Sequence, residues 1–363
     1  MSTTQSPVLY RPDWAEARER MATWWNGGDI GRPAMHIGVP RTAPIENIPA
    51  LPEPEGWFCH YSTSNLPYRV NCALRACVNS DCYGEVVPAV SPGDLAPNCL
   101  ALYLGCHGVE MPGTVWCEPC IASPETARFD YNAENFYWKF TLEATRQTLA
   151  GGKGKFLQQF PDLIEGLDTL AAMRGSEKLL EDLLDRPEWV HDCLRNITAQ
   201  YFHHYDMLYN LIRDEVGGSV FWAWAPGRMA KFQCDFSAMI SPAMFKEFMV
   251  PVLTEMCERV SYSMYHWDGP GALAHHDLLL GIPCLNMLQW TPGAGVEPTW
   301  HPRWWKYYHK TFDAGKKLLV GAENTEQLLA LKKEFGEQCK GFLIGMGARD
   351  ARQAEEFMST MEF

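Results

Sequence analysis

Tyr265-His266-Trp267-Asp268-Gly269-Pro270-Gly271 follows an apolar run that begins at Tyr262 and precedes a helix-like run that reaches Leu280. The first run predicts a strand. Alternate residues of a strand project from one face, so His266 and Asp268 point the same way and can grip one ion or one polar substrate. Gly269 and Pro270 then turn the chain into the helix. This is one strand–turn–helix unit. Where such units close into a barrel, their strand ends form the face on which barrels do chemistry.

The unit recurs on both sides. Strands are predicted over 34–39, 86–90, 156–160, 219–224, 262–266, 284–288, 317–320 and 341–345. Helices are predicted over 12–25, 131–150, 241–260, 271–280, 302–314, 325–335 and 350–361, with broken helical segments over 162–213. Arg186-Pro187-Glu188 and Ser241-Pro242 are sound helix starts, since proline suits the first turn and serine the cap. Eight short apolar strands separated by helices are the pattern of parallel strands covered on both faces. The expected fold is an α/β (β/α)8 TIM barrel with an N-terminal helix, forming one domain over 1–363. Residues 41–125, rich in Pro, Asn, Gly and Cys, are expected as a loop-rich insertion over the barrel mouth. No dinucleotide-binding glycine fingerprint and no P-loop supports a nucleotide-binding alternative.

Composition narrows the partners. Hydrophobic residues make up 47% and charged residues 21%, enough apolar material for a sizeable core. The formal net charge of −13 disfavours nucleic acid and anionic membranes, which need a positive face. No apolar run is long enough to span a bilayer. Met1 to Leu9 lacks the apolar core of a signal peptide, so the 13 cysteines are expected as reduced thiols in the cytoplasm.

The strand ends collect an acidic, amide and aromatic set with one well-placed imidazole. It comprises Asp162, Trp222, Trp224, Gln233, Asp235, His266, Asp268, Gln289, Trp290, Glu297, Glu323, Asn324 and Arg349. One reading makes His266, Asp268 and Glu323 ligands of a divalent metal, zinc being commonest for mixed nitrogen and oxygen donors, with Asp235 as a further carboxylate. Another makes His266 a general acid oriented by a carboxylate. A His-x-Asp before a helix also serves simply as a cap, and Asp235 suits that role too. Trp222, Trp224, Trp267 and Trp290 are candidate walls for an apolar substrate, with Gln289 and Asn324 as polar contacts, although tryptophan is more often core. Cys117-Glu-Pro-Cys120 could hold half a metal site or exchange electrons, with Cys106 and His107 upstream to complete it.

Gln233-Cys-Asp235, Ser241-Pro242, Phe245, Phe248 and Pro251, followed by Tyr265 to Gly271, resemble the uroporphyrinogen decarboxylase superfamily. Asp13-Trp14, Arg18, Trp24-Trp25, Arg32-Pro33 and Gln289-Trp290-x-Pro292-Gly293-Ala-Gly295 extend the resemblance over nearly the whole chain. It implies a (β/α)8 barrel and one of two activities: decarboxylation of uroporphyrinogen, or methyl transfer involving corrinoid proteins, often with zinc. The decarboxylases' arginine-rich N-terminal motif is absent here. In the zinc methyltransferases the position of Asp268 is a cysteine, and a late cysteine falls where this chain has Gly345-Met-Gly347. The resemblance is therefore closer to the corrinoid-dependent methyltransferases, without their thiolate ligands.

The function this implies is transfer of a methyl group from a small methoxylated or N-methylated donor to a corrinoid (cobalamin) on a partner protein. His266, Asp268 and Asp235 would be the catalytic groups, and family analogy points to a homodimer. Two rivals stand beside it. One is a decarboxylase or lyase using Arg228, Arg349 or Lys231 to hold a carboxylate. The other is a barrel that binds a tetrapyrrole or corrinoid without turnover.

Overall fold

The computed structural model describes residues 8–363. Its strands are β1 (Ala34–Pro40), β2 (Ser80–Gly84), β3 (Ala89–Val90), β4 (His107–Met111), β5 (Thr114–Glu118), β6 (Leu157–Gln158), β7 (Ser219–Phe221), β8 (Ala223–Ala225), β9 (Met229–Gln233), β10 (Tyr262–Asp268), β11 (Met287–Thr291), β12 (Lys317–Gly321) and β13 (Phe342–Gly347). Seven of them form one sheet in the order β2-β1-β13-β12-β11-β10-β9. All its pairs are parallel except β1–β2. Leu318, Val320, Leu343 and Ile344 are fully buried, as strands covered by helices require. The result is an α/β protein with a mostly parallel sheet and alternating helices.

The helices begin where the side chains cap them. Asn324 Oδ1 accepts the Gln327 N–H and Asp350 Oδ1 accepts the Gln353 N–H, each satisfying one free donor of a first turn. Ser241 accepts the Met244 N–H ahead of Pro242. The helix that follows widens to a π-turn over Phe245–Met249, just before Pro251, whose ring lacks the N–H a regular turn would use.

The hydrogen-bonded ladder is not a continuous eight-fold ring among the described residues. β3 pairs with β6, and a single bridge joins Gln159, just after β6, to Val220 of β7, but neither end of this short arc pairs as a strand with the seven-stranded sheet. A side chain spans the seam between β7 and β9. Ser219 Oγ accepts the Met229 N–H at 2.9 Å and donates to Gly227 O, tying β7 to β9. Arg11 donates to the carbonyls of Gly84 and Val86 on the other side. The predicted strand 86–90 shrinks to β3 because Pro88 has no N–H to donate. The predicted strand 219–224 is instead the tight hairpin β7–β8, with Trp222 at its turn and φ +64°. β2 and β9 were not expected. Lys231 in the middle of β9 disguises an otherwise apolar strand, and the strand predicted over 284–288 lies a few residues later, at β11.

One apolar core runs from Val8 to Met361. Trp14 of the helix Trp14–Trp25 packs edge-on against Trp224, ring centroids 5.4 Å apart. Glu85 is fully buried. It accepts two hydrogen bonds from Arg32 (2.7 and 2.8 Å), one from Arg20 (2.9 Å) and one from the Met35 N–H (2.9 Å). Burial alone would raise its carboxyl; the Arg32 guanidinium holds it below the usual range. The preceding Gly84 has φ +71°, and a Cβ there would stand 2.1 Å from Met35 O, so only glycine admits this close approach. Among the described residues no helix is long and apolar enough to cross a membrane.

Candidate functional site

Three adjacent parallel strands place the site. In register, Gln233 of β9 lies beside His266 of β10, which lies beside Gln289 of β11. Residues paired across parallel strands project to the same side, so the two amides flank the imidazole. Two residues beyond His266 comes Asp268, and two beyond Gln233 comes Asp235. One ligand atom from each of Asp235, His266 and Asp268 lies within 4.8 Å of the other two.

The hydrogen bonds fix the imidazole. His266 Nδ1 bonds to Gln289 Oε1, and Gln289 Nε2 donates to Thr291 Oγ1 at 2.7 Å, which orients the amide with its oxygen toward the ring. Nδ1 therefore carries the proton and the Nε2 lone pair is left for a ligand. Burial lowers the His266 pKa, with the ammonium of Lys231 acting in the same direction against Gln289 and Asp268, so the ring is neutral near neutral pH.

Lys231, fully buried, bonds Asp162 Oδ1 and Gln233 Oε1, each at 2.5 Å. Its ammonium stands 4.6 Å from the centroid of Trp222, whose ring meets His266 edge-on at 5.3 Å. Trp222 is the only non-glycine residue with positive φ among those described. A bulky side chain in that region is strained, and such strain persists where surrounding structure enforces it. Here it delivers a 39%-exposed tryptophan to the imidazole.

Carboxylates crowd the remaining space. The loop after β9 is held by Asp168, whose two oxygens accept the N–H groups of Asp235 and Phe236 at 2.8 Å. Asp235 keeps an exposed edge, yet loss of solvation, then the charges of Asp168 and Asp268, push its pKa up to about 7. Asp94 accepts the Asp162 N–H at 3.1 Å; loss of solvation, then the Asp162 charge, push it up to about 7 as well. A cavity of about 630 Å³ opens against Asp168, Gln233 and Asp235 on one side and against Thr114 to Cys117 of β5 on the other.

Of the residues expected from the sequence, His266, Asp268, Asp235, Gln289 and Trp222 come together. Three tryptophans do not line the site. Trp224, Trp267 and Trp290 are each 1% exposed. Trp224 donates to Asp214, Trp267 donates to Ala272 O and stacks on His276, and Trp290 packs on Trp304. Asn324 caps its helix, and Glu323 is exposed and outside the three-residue cluster. Arg228 is drawn away by Asp206 and the rings of Tyr205 and Tyr209, and Arg349 pairs with Asp350. Asp94 and Asp168 were not expected. Lys231 was named only as a carboxylate clamp, although a lone lysine inside an apolar run just before Gln-Cys-Asp was the available signal.

The donor set, one neutral imidazole and two carboxylates, suits a divalent ion such as zinc. The orienting hydrogen bond on Nδ1 fits that role as well.

No family model and no curated protein sequence matches the chain. The structure is similar to that of a methyltransferase from Methanosarcina mazei, with a TM-score of 0.61 over 95% of this chain and 98% of that one, at 12% identity. At that identity the likeness is one of fold.

Proposed function

We propose that the protein is a methyltransferase on a closed (β/α)8 barrel. It moves a methyl group from a small methoxylated or N-methylated substrate to a corrinoid carried by a partner protein. The observation that carries this reading is the convergence of Asp235, His266 and Asp268, of which Asp235 also lines a cavity large enough for a small organic donor. The fold likeness to a protein described as a methyltransferase supports it.

Methyl transfer from an ether or amine is slow because an alkoxide or amide ion leaves poorly. When the carbon–heteroatom bond breaks, the methyl carbon goes to the acceptor and the electron pair stays on oxygen or nitrogen. Asp235, poised near neutrality, supplies the proton that this pair takes up. With a divalent ion bound, His266 Nε2 and the carboxylates of Asp235 and Asp268 would hold it, and its Lewis acidity toward the departing atom would take the place of the Asp235 proton. Trp222 closes the apolar side and limits water at the reacting carbon. Residues 41–125 form the cover, with hairpin β4–β5 as the wall facing Asp235. The proposed setting is cytoplasmic.

A carboxylate-clamping lyase finds less support. Lys231 is already engaged by Asp162 and Gln233, and Arg228 and Arg349 are paired elsewhere.

The test is methyl transfer to reduced cobalamin from a panel of methoxylated and N-methylated compounds, followed by absorbance, with and without added zinc. Transfer that is lost in a folded His266→Ala variant is expected. Full activity of that variant, or carbon dioxide release with no methyl transfer, overturns the assignment.

A further inference from the structure

The hairpin β4–β5 carries a thiol cluster outside the catalytic residues. Cys106 precedes β4, Cys117 lies in β5 and Cys120 follows it. Cys106 Sγ and Cys120 Sγ stand 3.7 Å apart. Both are held on the helix Gly166–Arg174. Cys106 Sγ lies 3.6 Å from Ala172 O, and the N–H groups of Cys120 and Ile121 both donate to Met173 O at 2.9 and 2.8 Å. Cys120 is exposed, Cys117 half-buried and Cys106 buried. Cys106, by hydrogen-bonding to them, draws the other two thiols below their ordinary range, so the outer pair has more thiolate character.

Two sulfurs 3.7 Å apart, both tied to one helix, have to close to about 2.05 Å to bond. The outer one is open to a small molecule and the inner one is not. That asymmetry suits stepwise exchange.

We propose that Cys106 and Cys120 form a reversible disulfide by exchange with a low-molecular-weight disulfide such as oxidised glutathione, closing the base of hairpin β4–β5. The Cys120 thiolate attacks one sulfur of the small disulfide. A mixed disulfide forms and one small thiolate leaves, taking up the proton that Cys120 lost. Cys106 then gives up its proton and attacks the Cys120 sulfur, so the intramolecular bond forms as the second small thiol leaves protonated. Two protein thiols are oxidised and one small disulfide is reduced to two thiols. Cys117, whose thiol Cys106 also influences, is the alternative partner when Cys120 is absent. Because β5 walls the cavity beside Asp235, the bond fixes that wall in place.

The full-length protein, equilibrated over a range of oxidised-to-reduced glutathione ratios and alkylated, tests this. Cleavage after Glu110 separates Cys106 from the other two, and fragmentation of the Glu118–Pro119 bond in the mass spectrometer tells Cys117 from Cys120. The expected product joins the peptide ending at Glu110 to the one beginning at Met111 through Cys120, and it reverts with reduced glutathione. Hydrogen exchange over residues 107–118 should slow in the oxidised form. Cys106→Ser should leave glutathione trapped on Cys120, and Cys120→Ser, at an exposed position that folding tolerates, should shift the bond to Cys106–Cys117. A stable glutathione adduct on Cys120 of the unaltered protein overturns the proposal. So does reaction at exposed Cys72 and Cys284 alone. None of these readouts depends on the methyl-transfer reading.

Discussion

His266 and Gln289 face each other from adjacent parallel strands, and the amide oxygen of one receives the Nδ1 proton of the other. The imidazole beside Asp235 and Asp268 is thus aimed by a residue that need not touch a ligand.

Replacing Gln289 by Leu removes that aim while keeping the bulk. Zinc affinity should fall by about 10–100-fold with the fold intact, as when the partners of metal-bound histidines are removed. Titration calorimetry of the two proteins measures it. Unchanged affinity would show that His266 is not a ligand.

Asp235 sets a pH dependence. Its protonated form predominates below about 7, so a rate that needs its proton falls as pH rises through that value. Asp235→Asn cannot donate the proton. It should lose about 10²–10⁴-fold in rate and flatten the alkaline limb. A pH–rate profile in which the variant keeps the limb would assign the ionisation to another group.

Asp94 tests the same crowding through stability. Its folded pKa of about 7 lies above the ordinary value of about 3.9, so the folded state binds the proton more tightly. That contribution is fully present below the unfolded pKa and is lost as pH rises through the folded one. Asp94→Asn should therefore gain Tm relative to the parent between pH 5 and pH 8, by a few degrees (about 2 °C or more). Equal differences at both pH values would show that Asp94 is not perturbed.

Glu85→Ala leaves the Arg32 guanidinium and the Met35 N–H buried without their carboxylate partner, and leaves Arg20 only its bond to Gly84 O. Removing one side of a buried ion pair is costly because the other charge stays uncompensated; a loss of about 3 kcal/mol in urea unfolding is expected. A loss under about 1 kcal/mol would place the two arginines in solvent.

Trp222 separates strain from contact. Glycine adopts its backbone conformation without penalty, so Trp222→Gly should be about 1 kcal/mol more stable than Trp222→Ala, while both lose the ring. Equal stabilities in thermal melts would mean that the turn relaxes.

Much of this molecule was legible in its residues. The helix at 325–335 was read to the residue because Asn324 caps it and Gly336 ends it, both local signals. His266 and Asp268 were legible because strand period alone sets their direction. What escaped were features decided by contacts distant in sequence. β9 hides behind Lys231, whose burial makes sense only once Asp162 is beside it. The three sequestered tryptophans looked identical to Trp222 in sequence. What distinguishes Trp222 is a backbone torsion. Glu323 and Asn324 sit at a strand end as expected, but the helix that follows claims the asparagine.

Ser219 has the last consequence. A single hydroxyl stitches β7 to β9, where other neighbours share several peptide hydrogen bonds. Trp222 rides on the β7 side of that stitch and Lys231 on the β9 side. Small sliding there changes the gap between aromatic ring and ammonium without unzipping any pair of strands. The acid–imidazole–acid triad, anchored across β9 and β10, keeps its spacing meanwhile. On the proposed function, a triad set in paired strands would stand beside an adjustable flank, and differently sized donors would meet the same groups.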